Sequence, residues 1–151
     1  MAISHDVVER AARVVLETNA SVKIVGAKQS HETDASFMEL IGTLSLVGKL
    51  GGTLVVYCQW QQAVRLAAGM LGEEGTEPEA DTVRDAMGEM VNQIGGTIKR
   101  YVGADGNEMM LSPPVVVSGS PLSHCVRSSQ KPLNVNLDLG PGSFGVCLWP
   151  A

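Results

Sequence analysis

Aromatic side chains are scarce: two Trp, two Tyr and two Phe make up 4% of 151 residues. A core built without them must be filled by Val, Leu, Ile, Met and Ala. Clustered positive charge is also missing. The formal charge is −5, and Lys99-Arg100 is the only adjacent basic pair. Such a chain is repelled by phosphodiester backbones, so no nucleic-acid partner is expected. Long apolar runs are absent too. The most apolar stretch, 37–58, is broken by Glu39, Lys49 and several glycines, and it alternates. No membrane span is therefore expected. The first residues lack a basic segment followed by an apolar one, and the expected location is cytoplasmic. Cys58, Cys125 and Cys147 are odd in number and lack metal-like spacing, which suits reduced thiols. His124 and Cys125 are adjacent, so on a strand they point to opposite faces and make a poor nucleophile pair. His5 and His31 read as isolated surface residues. No glycine loop with G-K-S/T is present to cradle a phosphate.

What is present has the length of one domain, with 44% apolar and 18% charged residues. Residues 5–18 carry Val7, Val8, Ala11, Ala12, Val15 and Leu16 at helical spacing, with Ser4 as N-cap. A short β-branched segment at 21–28 predicts a strand. Over 36–47 the period becomes two, with Met38, Leu40, Leu44 and Leu46 on one face and Glu39, Thr43 and Ser45 on the other. A turn at 48–52 and a return strand at 53–59 complete a hairpin. A second helix is expected at 60–71, with Ala63, Val64, Ala67, Ala68 and Leu71 inward. An acidic loop, 72–79, leads to a third helix ending near Tyr101, with Asp81 placed to cap it. Residues 103–107 break that helix. A strand over 109–117 is entered through Ser112-Pro113-Pro114, since prolines belong at a strand's start or edge. Leu133, Val135, Leu137 and Leu139 alternate with Asn134, Asn136 and Asp138, a half-buried strand. A turn at 140–142 then leads to a closing strand, 144–149. Hairpins plus amphipathic helices predict an α+β fold, with helices packed on one face of an antiparallel sheet.

The third helix is the most informative. At about 100° per residue, Val83, Ala86, Met87, Met90, Val91, Ile94 and Ile98 fall in an arc roughly 140° wide. Asp85, Gly88, Glu89, Asn92, Gly95, Gly96 and Lys99 fall opposite. Each helical glycine costs about 1 kcal/mol relative to alanine. Three of them on the outer face would lower the surface around Glu89 and Asn92, so that another backbone could approach. Glu89 and Asn92 are at i and i+3, side by side.

Glu89-Met90-Val91-Asn92-Gln93-Ile94-Gly95-Gly96 resembles the E-x-x-N-x-x-x-G signature of the CheC/CheX phosphatases. The hairpin and short helix before it, 51–72, and Leu111-Ser112-Pro113-Pro114-Val115-Val116 after it, resemble the same family. With one copy of the signature, the chain is similar to the CheX type. The resemblance implies a phosphatase acting on the aspartyl phosphate of a CheY-like response regulator. Asn92 would orient the attacking water, since a carboxamide can donate to phosphoryl and accept from water. Glu89 would pair with the receiver's active-site lysine. Asp85, Gly88, Gly95 and Gly96 would form the docking surface. No cofactor is implied for this chain; Mg²⁺ is expected in the partner receiver domain. A homodimer built through the sheet is also implied. The alternatives are a non-catalytic module that binds a receiver or adaptor with the same helix face, or a structural dimer module in which the glycines let two helices pack.

Overall fold

The computed structural model describes residues 2–33, 38–103, 108–120, 122, 123, 126 and 128–151. His124, Cys125, the expected strand residues 36–37 and the expected helix break at 104–107 lie outside the described residues.

Helix α1 spans His5–Asn19, and the Ser4 hydroxyl accepts from the Val7 N–H at 3.3 Å, as an N-cap does. Strand β1 is Gly26–Ser30, later than the 21–28 expected. Val22 and Ile24 are buried in the main core, ahead of the strand's first pairing residue, Gly26. Their β-branched run therefore records burial more than pairing. Strands β2, Leu40–Val47, and β3, Gly52–Cys58, form the expected hairpin, with Leu44 opposite Leu54. Helix α2 is Trp60–Met70; the Glu39 carboxylate accepts from the Trp60 N–H at 3.1 Å and so ties its start to β2. Leu71 is the C-cap and is 47% exposed, not inward. Helix α3 is Ala80–Tyr101, with Glu79 as N-cap; Asp81 sits in the first turn and pairs with Arg84 instead of capping.

Past α3, the strand expected at 109–117 is two pieces, β4 (Met110–Leu111) and β5 (Val115–Ser118). Both pair with β2, and Ser112-Pro113-Pro114 divides them instead of introducing them. Prolines lack the N–H that a continuous ladder needs, so the edge breaks there. Strands β6, Leu133–Asp138, and β7, Ser143–Pro150, close the fold. Every pairing is antiparallel, in the order β1-β6-β7-β3-β2, with β4 and β5 sharing the last edge.

The three helices cover one sheet face, and the main core lies between them, with Phe144, Leu16, Leu54, Met87 and Ile94 among its fully buried side chains. Each such side chain contributes about 1.5–3 kcal/mol by leaving water. The other face is not simply wet. Met38, Ile41, Val55, Tyr57 and Cys147 are buried there beneath Leu122, Val126 and Trp149. Asn134, expected on a polar face, is fully buried, and its Oδ1 lies 2.7 Å from the Tyr57 hydroxyl. His5 and His31 are not isolated, since their rings meet edge to face at 4.8 Å. At the β2–β4–β5 edge, Val47, Met110, Val115 and Val117 are 50–71% exposed; strand alternation places them on the face away from the helices. Among the described residues, no helix is long and apolar enough to cross a membrane.

Candidate functional site

Helix α3 is held between α1, α2 and the sheet by Val83, Met87, Met90, Val91, Ile94 and Ile98, all fully buried. Ala86, the remaining member of the expected inner arc, is half-buried against the same core. The buried arc is wider than the apolar pattern alone indicates, and this corrects the three-glycine platform. Gly88 is buried, and a Cβ there would meet Val116 and Pro114 at 3.6–3.7 Å. Gly95 is buried as well, with its Cβ position 3.4 Å from the Leu44 methyls. These two glycines bring α3 close to β2 and to the broken edge. Only Gly96 is open, with nothing within 4 Å of its Cβ position.

The outward face carries Asp85 and Glu89, both exposed, and Asn92, Gln93 and Gly96, each half-buried. Glu89 and Asn92 sit one turn apart, as their spacing requires. The Asn92 carboxamide makes no hydrogen bond among the described residues, so its donor and acceptor remain available. Glu89 uses one oxygen: its Oε1 accepts from Gln93 Nε2 at 3.1 Å. Gln93 Oε1 in turn accepts from Asn19 Nδ2 at 2.7 Å, linking α3 to the end of α1. Asn92, Gln93 and Gly96, with Thr18, Asn19 and Arg100, line an open groove of about 520 Å³ between α1 and α3.

The site thus offers a carboxylate, an unengaged carboxamide and a shallow floor at Gly96, all on one buttressed helix. Such a set can accept from a cation and orient a water. Among the described residues, no group of three or more His, Cys, Asp or Glu gathers as a metal site. Cys58 and Cys147 are buried, and burial pushes both thiols up from 9.0 to about 12. Sequence reasoning did not single out Gln93 or Asn19. Gln93 stands at i+4 from Glu89, a readable signal; Asn19 is on another helix and left none.

The family model for the chemotaxis phosphatase CheX matches residues 40–138, about two thirds of the chain, including the whole of α3. Solved structures are similar over nearly the full length. The CheX chemotaxis protein of Vibrio vulnificus is 21% identical, with a TM-score of 0.83 and 97% of each chain covered. A CheX–CheY–beryllofluoride–magnesium complex from Borrelia burgdorferi is 18% identical, with a TM-score of 0.84 and 99% of each chain covered. FliY of Thermotoga maritima is more distant, at 16% identity and a TM-score of 0.61, covering 99% of this chain and 92% of that one. A search of curated protein sequences finds no match. At these identities the structural likenesses establish the fold, and the sequence match over 40–138 establishes the kinship: the chain belongs to the CheX family of chemotaxis phosphatases.

Proposed function

We propose that this protein hydrolyses the aspartyl phosphate of a CheY-like receiver domain. The observation that carries the reading is the placement of Glu89 and Asn92 on one open helix face beside Gly96, inside the region matched by the family model. An acyl phosphate is already activated, and its receiver holds its own Mg²⁺ and lysine. Hydrolysis then needs one water in line with the scissile bond. The unengaged Asn92 amide positions that water, donating to the phosphoryl group while accepting from the nucleophile. Glu89 pairs with the receiver lysine and seats Asn92. Asp85 and Gly96 border the same contact, and Gly88 and Gly95 serve it indirectly by seating α3 against the sheet. That a relative of the same fold was solved with a CheY partner supports the receiver as substrate class.

The protein acts as a cytoplasmic homodimer. The exposed Val47, Met110, Val115 and Val117 at the sheet edge support a second copy there, away from α3. The non-catalytic alternative, receiver binding alone, has the same contact without rate enhancement. One experiment separates them: phosphate release from phosphorylated receivers in magnesium buffer, with and without this protein. Accelerated release supports the phosphatase; tight binding with an unchanged phosphate lifetime supports the binding module.

A further inference from the structure

The contact between Asn19, Gln93 and Glu89 has a direction. A primary amide has one accepting and one donating end. Asn19 Nδ2 donates to Gln93 Oε1 at 2.7 Å, which holds the oxygen toward α1. The amide nitrogen is left facing Glu89 and donates to its Oε1 at 3.1 Å. Reversed, Gln93 would present an oxygen to a carboxylate and repel it. The end of α1 is itself fixed: the Ala20 carbonyl lies so close to α2 that a Cβ on Gly69 would fall 2.0 Å from its oxygen.

We propose that Gln93 is a positioning residue for Glu89, oriented by Asn19, and that this relay sets receiver affinity. The proposal rests on the phosphatase reading above. A solvent-exposed glutamate samples several rotamers, and fixing it at docking costs affinity. The relay fixes it beforehand while leaving Oε2 unengaged among the described residues. The neutrality of Gln93 matters as well. A lysine at i+4 would form an intrahelical ion pair with Glu89 and compete with the receiver's lysine. Glutamine holds the carboxylate without neutralising it.

The test measures dephosphorylation against receiver concentration, alongside side-chain amide ¹⁵N relaxation on the free protein. Gln93→Ala is expected to raise KM about three- to tenfold, as loss of one ordinary hydrogen bond does, with kcat within twofold. Gln93→Lys is expected to raise KM further. Asn19→Asp is expected to raise KM when Gln93 is present and to add nothing in the Gln93→Ala background. The Gln93 amide is expected to be ordered in the wild type and mobile in Asn19→Ala, with the melting temperature unchanged. An unchanged KM in Gln93→Ala, where Glu89→Ala raises it, overturns the proposal. So does an Asn19→Asp effect of equal size in both backgrounds, which would be a charge acting at a distance. If the wild type shortens no receiver's phosphate lifetime, the phosphatase reading fails; if it also binds no receiver, the relay's role in affinity fails with it. The relaxation data judge the contact separately: a mobile wild-type amide overturns the relay itself.

Discussion

Gly69 on α2 lies directly against the Ala20 carbonyl at the end of α1; a Cβ there would sit 2.0 Å from that oxygen and 2.9 Å from its carbon. In an ordinary helix, Gly→Ala stabilises by about 1 kcal/mol. Here the sign reverses, because backbone must move to admit the methyl group. Gly69→Ala is expected to destabilise by about 1–3 kcal/mol, as overpacking does, read from urea midpoints. A gain in stability would mean that the two helices are farther apart than described.

Asn92→Ala removes the amide proposed to position the water but no internal hydrogen bond among the described residues. Receiver-stimulated phosphate release is expected to fall at least a hundredfold, the scale of a lost positioning group. Binding to a beryllofluoride-loaded receiver is expected to stay within a few-fold. Full activity in this variant would sink the mechanism.

The role proposed for Glu89 rests on its charge. Glu89→Ala is expected to weaken both binding and rate. Glu89→Lys is expected to be worse, since it sets like charges against each other at the receiver lysine. Isothermal titration with the same loaded receiver measures this directly. Normal binding by Glu89→Lys would rule out the ion pair.

The glycines of α3 separate packing from docking. At Gly96, alanine meets open space and is expected to stabilise by roughly 0.4–1 kcal/mol, whereas leucine blocks the floor of the groove and lowers receiver affinity with the fold intact. At Gly88 and Gly95 a leucine must displace Pro114 and Val116, or Leu44 and Leu111. Those variants are expected to lose stability by about 1–3 kcal/mol before any effect on docking can be read. Unaltered receiver affinity in a well-folded Gly96→Leu would place docking elsewhere.

The buried thiols predict an alkaline weakness. In the folded chain Cys58 and Cys147 keep their protons to about 12, chiefly because burial disfavours the thiolate, whereas unfolded thiols ionise near 9.0. Between those values the unfolded state binds fewer protons. Stability is therefore full below about pH 9 and falls as pH rises toward 12. Urea midpoints across that window are expected to fall less steeply in a Cys58→Ala/Cys147→Ala variant, even though it starts less stable. Equal slopes would contradict the assignment.

Much of this was legible in the residues. Val83 through Ile98 mark the inner face of α3 because burial selects apolar side chains at helical spacing. Glu89 and Asn92 were legible because i and i+3 must be neighbours on a helix. The misreadings have physical causes. Gly88 and Gly95 carry no hydropathy signal, so a strand edge packed onto them leaves no trace in an apolar pattern. Asn134 read as wet because its burial depends on Tyr57, distant in sequence, supplying a hydroxyl. Val22 and Ile24 read as a strand because side-chain branching reports burial and cannot report which backbone groups are paired. The Asn19–Gln93 contact joins two helices whose separation in the chain no local pattern spans.

The inner and outer faces of α3 divide the burden between them. Its hold on the protein runs through Met87, Met90, Ile94 and the close fit at Gly88 and Gly95, whereas recognition is assigned to Glu89, Asn92, Gln93 and Gly96. Substitutions away from core features usually shift stability by no more than about 0.5 kcal/mol. With the roles proposed for Glu89 and Asn92 kept, the outer residues that border them can therefore vary to suit a different receiver while the inner ones keep the fold. Descendants of such a gene can change partners one side chain at a time without passing through an unfolded intermediate.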